Sequence, residues 1–248
     1  MTKTPDDSIT VKDFTMRFGD TTVIDNLSFS VKRGETFGLL GSNGSGKTTT
    51  IRALLGIVRP TAGELLIEGQ PYDVDGRVRL GYLPEERGLY KKESVIDVMV
   101  YFGQLKGMER AEAREWSLGY LDKVDLGDKA KTRLDKLSGG QQQKIQLGVT
   151  VMGDPSLLIL DEPTKGFDPV NRRLLMEIIE ERQAEGTTVV FVSHQMEEVE
   201  RLCDRLILLK DGNAAAYGTV KDVKKAYGGK SLDDIFVQIY GRAEADDA

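Results

Sequence analysis

The stretch GSNGSGKT at positions 41–48 constrains this chain more than any other. It closes a short apolar run, ETFGLLG (35–41), and leads into TTTIRALLGI (48–57), which reads as a helix. A buried strand that turns at once into a helix needs backbone conformations closed to most residues, and Gly41, Gly44 and Gly46 can adopt them. Successive N–H groups then turn inward, and the helix start adds its own unpaired N–H groups and the positive end of its dipole. The product is a cradle for phosphate. The pattern G-x-x-x-x-G-K-[ST] is met without departure, so Lys47 is expected to reach the outer phosphates of a nucleotide and Thr48 to offer its hydroxyl to Mg2+.

The surrounding pattern predicts an α/β fold. Residues 9–18 and 23–31 read as strands with imperfect alternation, and 63–72 reads as a hairpin. From about 86 to 152 the chain turns helical. Ser94 and Asp97 form a capping box, with Val95, Val98, Met99 and Phe102 on one face. A second helix covers about 109–124 and carries Trp116, read as a core residue. The last third alternates: strand 157–161, helix 170–184, strand 187–193, helix 195–202, strand 205–209. Such alternation implies a mostly parallel sheet covered on both faces.

Composition narrows the setting. The net charge of −6 argues against a surface given over to nucleic acid. The single cysteine, Cys203, cannot form an internal disulfide, which suits a reducing cytoplasm, and it reads as a small core hydrophobe. The N-terminal residues lack the apolar centre of a signal peptide, and no stretch approaches the roughly 18 apolar residues of a spanning helix. A soluble chain is expected, with any membrane role supplied by a partner.

Two further motifs carry chemistry. In LLILDEP (157–163) four apolar residues hold Asp161 at the carboxyl end of a strand, where ligands of α/β proteins sit. Asp161 is a candidate Mg2+ partner through water, and Glu162 a candidate general base for an attacking water. In LSGGQQQ (137–143) Ser138 and two glycines begin another helix, again a start suited to an anion. One chain thus carries two anion-binding helix starts for one nucleotide. Both are used if each nucleotide lies between the phosphate loop of one subunit and the Ser-Gly-Gly of another.

The order GSNGSGKT, LSGGQ, LLILDE and then SH resembles the ATPase subunit of an ATP-binding cassette (ABC) transporter, over about Ile9 to Tyr227. GYLPEERGLY, FGQLKG and SHQMEEVERLCDR further resemble the sodium- or drug-efflux branch of bacterial exporters. The resemblance implies a P-loop NTPase fold: a mostly parallel central sheet, an N-terminal antiparallel β subdomain and an inserted α-helical subdomain. It divides the chain into an ATPase domain (1–228, helical subdomain about 86–152) and a C-terminal helix and acidic tail (229–248), the helix docking most simply on its own domain.

Residue by residue, the resemblance assigns ATP to Gly41, Ser42, Asn43, Gly44, Ser45, Gly46, Lys47, Thr48 and Thr49, and across the dimer to Ser138, Gly139, Gly140 and Gln141. Phe18 matches the aromatic that stacks on adenine, usually a tyrosine. His194, the only histidine, matches the switch residue expected to bond the γ-phosphate and help hold the attacking water near Glu162. The metal set is Thr48, Asp161 and Glu85, the last standing where the family has glutamine. A second departure is TKGFDP (164–169), with Lys165 and Phe167 where relatives carry Ser and Leu.

The resemblance also implies a separate integral-membrane permease, an ATP-bound homodimer or paired ABC subunit, and a cytoplasmic location at the inner face of the membrane. A soluble ABC ATPase of DNA repair or translation would need a coiled-coil insertion or a second cassette, and the sequence shows neither. A nucleotide kinase would account for GSNGSGKT but leave LSGGQ and His194 without a role.

Overall fold

The computed structural model describes residues 6–73, 78–86 and 88–241. The acidic tail after Gly241, and Arg87 of the Glu85-Glu86-Arg87 charge run, lie outside the described residues. By its contacts the chain forms two compact units. One comprises residues up to Val78 and from Gln183 onward, the other Arg79–Arg182.

The first unit contains two sheets. β1 (Asp7–Phe18) pairs antiparallel with β2 (Thr21–Lys32) on one side and with β4 (Ala62–Ile67) on the other. The imperfect alternation of β1 has a local cause. Its register with β2 slips between Val11 and Phe14, and Asp13 there has φ of 50°. A bulge of this kind returns Phe14 and Met16 to the buried face. The expected hairpin at 63–72 forms a single rung: Ile67 and Gln70 exchange backbone hydrogen bonds of 2.7 and 3.1 Å around Glu68 and Gly69, both at positive φ. Pro71 follows without an N–H to extend it, so β4 finds its partner in β1 instead.

The other sheet of this unit runs β7 (Thr188–Val192), β3 (Thr36–Gly41), β8 (Arg205–Lys210), β9 (Asn213–Thr219). Every residue of β3 and β7 is buried, as expected of strands covered on both faces. β3 is parallel to both neighbours, and β9 closes the edge antiparallel. Helices α1 (Lys47–Leu54), α6 (Met196–Leu202), α7 (Val220–Ala226) and α8 (Leu232–Tyr240) belong to the same unit.

In the second unit β5 (Leu80–Leu83) pairs parallel with the fully buried β6 (Leu157–Asp161). Its helices are α2 (Val95–Leu105), α3 (Arg110–Lys123), α4 (Gly139–Val151) and all but the end of α5 (Pro169–Ala184). Ser94 caps α2 by accepting from the Asp97 N–H, and Val95, Val98 and Met99 are buried. Trp116 is half-buried and stacks on Tyr120 of its own helix, ring centroids 5.3 Å apart. Cys203 of the first unit is buried, and its thiol is pushed up by burial and by the nearby Asp204 and Glu35 carboxylates, which leaves it inert.

Candidate nucleotide site

The phosphate loop is preformed in the first unit. Gly41 has φ of 153°, and a Cβ there would lie 2.3 Å from Ser45 Oγ and 2.7 Å from the Leu209 carbonyl oxygen. Gly46, the N-cap of α1, has φ of 105°, and a Cβ would lie 2.2 Å from Ile24 Cδ1. Both positions therefore require glycine for conformation and for room. No side chain caps α1 and its first turn holds no acidic residue. The first-turn N–H groups of Lys47, Thr48 and Thr49 thus face the loop at the positive end of the helix dipole.

Lys47 folds over the loop and donates from Nζ to the carbonyl oxygens of Gly41 (2.7 Å) and Ser42 (2.9 Å). The ammonium is held where inward N–H groups and incoming phosphate oxygens would meet. Ser45 is 3% exposed, and its hydroxyl has no hydrogen-bond partner among the described residues. A buried polar atom of this kind normally has a partner, and a loop shaped for an anion offers a reason for the exception. Asn43 and Gly44 are exposed at the tip, while Thr48 and Thr49 are half-buried.

His194 lies two residues past β7, and Val192 pairs with Leu39 of β3. The phosphate loop and His194 therefore leave the same, carboxyl end of two adjacent parallel strands. His194 is exposed, and just before it the Ser193 hydroxyl accepts from the Gln195 N–H at 3.0 Å and pairs with Glu198. Phe18, at the end of β1, keeps 53% of its surface exposed, so its ring face is open to a planar ligand.

The second unit holds the acidic candidates. Leu83 of β5 pairs with Leu160 of β6, so Glu85 and the Asp161–Glu162 pair also follow the carboxyl ends of neighbouring strands. Asp161 is 4% exposed and Glu162 8%. Glu162 has φ of 50°, unfavourable for a residue with a long side chain. A strained position at the end of a buried strand is a common mark of a functional residue.

Glu85 and Lys165, the two unusual residues, bond to each other: Lys165 Nζ lies 2.5 Å from Glu85 Oε1. The Glu85 carboxylate, by hydrogen bond and charge, raises the Lys165 amine above the ordinary lysine range, and Glu162 adds to this. Both side chains are largely exposed, so the pair contributes little to folding, and its effect is on charge beside the carboxylates. Phe167, the other unusual residue, is buried, with its ring 3.9 Å from where a Cβ on Gly140 would sit. Neither interaction was foreseen from the sequence, because nothing in the spacing marks residues 80 apart as neighbours.

Ser138 begins α4 with a reciprocal capping box. Its hydroxyl accepts from the Gln141 N–H (3.3 Å), and the Gln141 side-chain oxygen accepts from the Ser138 N–H (2.9 Å). Gly139 and Gly140 occupy the first turn, which holds no acidic residue. Gln143 donates to the Pro163 carbonyl at 2.7 Å, tying this helix to the segment just after Glu162.

A profile of the ABC transporter family matches residues 24–165. The chain belongs to the ABC transporter ATP-binding family. It is 45% identical to an ABC transporter ATP-binding protein of Methanocaldococcus jannaschii, over 88% of this chain and 81% of that one. It is 35% identical to the linearmycin resistance ATP-binding protein of Bacillus subtilis (89% and 72% covered). With the Nod factor export ATP-binding protein I of Paraburkholderia xenovorans it shares 42% identity (81% and 67% covered). Among solved structures it is similar to an ATP-binding subunit of an ABC transporter, with TM-score 0.85 and 30% identity over 93% of this chain and 98% of that one. The α/β, P-loop fold expected from the sequence is the fold observed. ATP-binding subunits of this family bind and hydrolyse ATP to power transport, working with a membrane permease. No helix among the described residues is long and apolar enough to cross a membrane.

Proposed function

We propose that this chain is the ATP-hydrolysing subunit of an exporter, with two copies, or one copy and a related subunit, closing on two Mg-ATP to drive a separate permease. The observation that carries the hydrolytic part is Glu162: a buried carboxylate held at positive φ directly after the β6 strand. It serves as general base for the attacking water, while Lys47 and the first-turn N–H groups of α1 hold the phosphates. His194 bonds the γ-phosphate and steadies that water, and Phe18 stacks on the adenine. The export direction is supported by the named roles of the linearmycin resistance and Nod factor export relatives. A cytoplasmic place at the inner membrane face follows from pairing with a permease.

The donors proposed for Mg2+ are oxygen atoms: the Thr48 hydroxyl, Asp161 and Glu85. Among the described residues no three His, Cys, Asp or Glu side chains cluster closely enough to hold a metal by themselves. That suits Mg2+, which keeps several waters and takes phosphate oxygens alongside one or two carboxylates. When bound, the ion neutralises charge on the phosphates. Glu85 would take part only after giving up its ion pair with Lys165.

Two helix starts suited to anions, α1 and α4, support a shared site, with Ser138, Gly139, Gly140 and Gln141 of one copy meeting the nucleotide on the other. The test is light scattering of Glu162→Gln with and without Mg-ATP. The expected result is a dimer only with ATP, and hydrolysis reduced by about a hundredfold or more. A variant that still turns over ATP at the normal rate removes Glu162 from the base role, and one that binds ATP yet stays monomeric removes the shared site.

A further inference from the structure

The chain beyond Gly228 reads from sequence as an addition to the ATPase domain. Its contacts give it a different part. Helix α8 is fixed at both ends within the first unit. At its start the Leu232 N–H donates to Glu200 Oε1 at 2.9 Å, and Leu232 and Ile235 are buried. At its end Lys210 donates from Nζ to the Ile239 carbonyl at 2.7 Å, and the Phe236 ring packs against Tyr240 with centroids 4.4 Å apart. This anchorage delivers one hydroxyl to the phosphate loop. The Ser42 N–H donates to Tyr240 Oη at 3.0 Å, and the Tyr240 hydroxyl donates to the Leu209 carbonyl. Leu209 is the residue paired with Gly41 at the end of the β3–β8 ladder, so the phenol sits where that ladder gives out and the loop begins.

The peptide unit between Gly41 and Ser42 is thereby held from two sides. In a trans peptide the N–H and the C=O point in opposite directions. Its N–H goes to Tyr240 at 3.0 Å, and its C=O goes to Lys47 Nζ at 2.7 Å. Any rotation of this peptide breaks both bonds, so the phenol that fixes the N–H also fixes the carbonyl that seats the lysine. Gly41 makes the restraint necessary: at φ of 153° and without a side chain, it allows the following peptide more freedom than any other residue would.

We infer that Tyr240 is a positioning residue for nucleotide binding: through the Gly41–Ser42 peptide it sets the seat of the Lys47 ammonium, and so makes the C-terminal helix part of the phosphate site. Tyr240 touches no phosphate itself. The inference rests on the reading of 41–48 as the ATP phosphate loop, and it couples whatever displaces α8 to affinity for ATP.

The test compares the full-length protein with Tyr240→Phe, which keeps the ring and its packing and deletes the hydroxyl. Mg-ATP turnover is measured in both, and again with Lys47→Ala in each. Losing one hydrogen bond's worth of pre-organisation is expected to raise KM about three- to tenfold with kcat changed by less than about twofold, the pattern of binding lost equally from ground and transition states. In the Lys47→Ala background the hydroxyl is expected to make no further difference. Without nucleotide, the Ser42 amide resonance is expected to shift and to exchange with solvent faster in Tyr240→Phe.

An unchanged KM together with an unmoved Ser42 amide overturns the inference, as does an equal loss in both lysine backgrounds. If the unaltered protein fails to hydrolyse Mg-ATP, the ATPase reading falls, while the Ser42 amide still decides the clamp. Should Tyr240→Phe not fold, hydrogen exchange in the unaltered protein decides: a Ser42 amide as unprotected as that of exposed Asn43 refutes the bond.

Discussion

Gly148 of α4 offers a substitution for which two physical effects predict opposite signs. It lies inside a helix and is buried, so Gly148→Ala gains about 1 kcal/mol from helix propensity alone. Packing opposes this. A Cβ on Gly148 would lie 2.4, 2.7 and 2.9 Å from three carbons of the Tyr120 ring. The ring has little room to retreat: it stacks on Trp116, is 5% exposed, and its hydroxyl donates to the Lys144 carbonyl at 2.7 Å. Forcing a methyl into such a contact costs about 1–3 kcal/mol, and pulling the phenol off its carbonyl costs about 1 kcal/mol more. The net expectation is a loss of about 2 kcal/mol, roughly a thirtyfold rise in the unfolded fraction. Trp116, the only tryptophan, lies in the same unit beside Tyr120, so its fluorescence during urea unfolding reads the change directly. Tyr120→Leu should cost less in the Gly148→Ala background than in the unaltered protein, because it relieves the clash. A Gly148→Ala protein more stable by about 1 kcal/mol, as propensity alone would give, refutes the packing argument. The consequence reaches function, because α3 against α4 sets the direction of the helix that begins with Ser138.

The pair formed by Glu85 and Lys165 predicts opposite shifts on the Mg2+ dependence of ATP binding. Glu85→Gln is expected to make ATP binding less dependent on Mg2+, because no carboxylate then repels the γ-phosphate when the metal is absent, and Lys165→Gln, which leaves that carboxylate without its ammonium, to make it more dependent, with the double variant near the unaltered protein; parallel Mg2+ titrations in all four remove both residues from the metal's surroundings. Lys106 donates from Nζ to the carbonyls of Val149, Thr150 and Met152 at the end of α4, and burial of the amine lowers it to about 8 from 10.5. The native protein then sheds this proton before the unfolded chain does, so stability rises as pH climbs from about 8 towards 10.5, by less than the full shift implies because the side chain is also exposed to solvent. Lys106→Met is expected to lack that rise, and denaturant titrations giving parallel pH profiles for the two proteins contradict the assignment.

What was legible in the sequence was what short-range chemistry decides. Gly41, Gly44 and Gly46 take positive φ around the phosphate loop, and the pattern 41–48 announces that local need without the fold. Asp161 ends a run of buried apolar residues, which marks a strand end as plainly in the sequence as in the structure. The long-range pairings were not legible. Tyr240 reaches Ser42 across 198 residues, and nothing in the local sequence marks it as a partner of the phosphate loop. Lys165 and Glu85 read as two separate oddities, and together they are one charge balance. β4 read as half of a hairpin because a two-residue turn is a local signal, whereas its pairing with β1 is not.

The two helix starts differ in a way that bears on the order of events. α1 begins at Gly46 with no side-chain cap hydrogen bond and no acidic residue in its first turn. α4 is already capped: Ser138 takes the Gln141 N–H, and Gln141 takes the Ser138 N–H. Only the N–H groups of Gly139 and Gly140 and the hydroxyl proton of Ser138 are left to meet an anion there. An anion therefore gains more at α1, where the Lys47 ammonium is also seated, than at α4. Nucleotide is expected to fill the phosphate loop of a single chain first, and α4 of a second chain to add its donors afterwards. On this argument any pairing of chains is expected to follow ATP binding, with an affinity that tracks the γ-phosphate and with ADP leaving the chains apart.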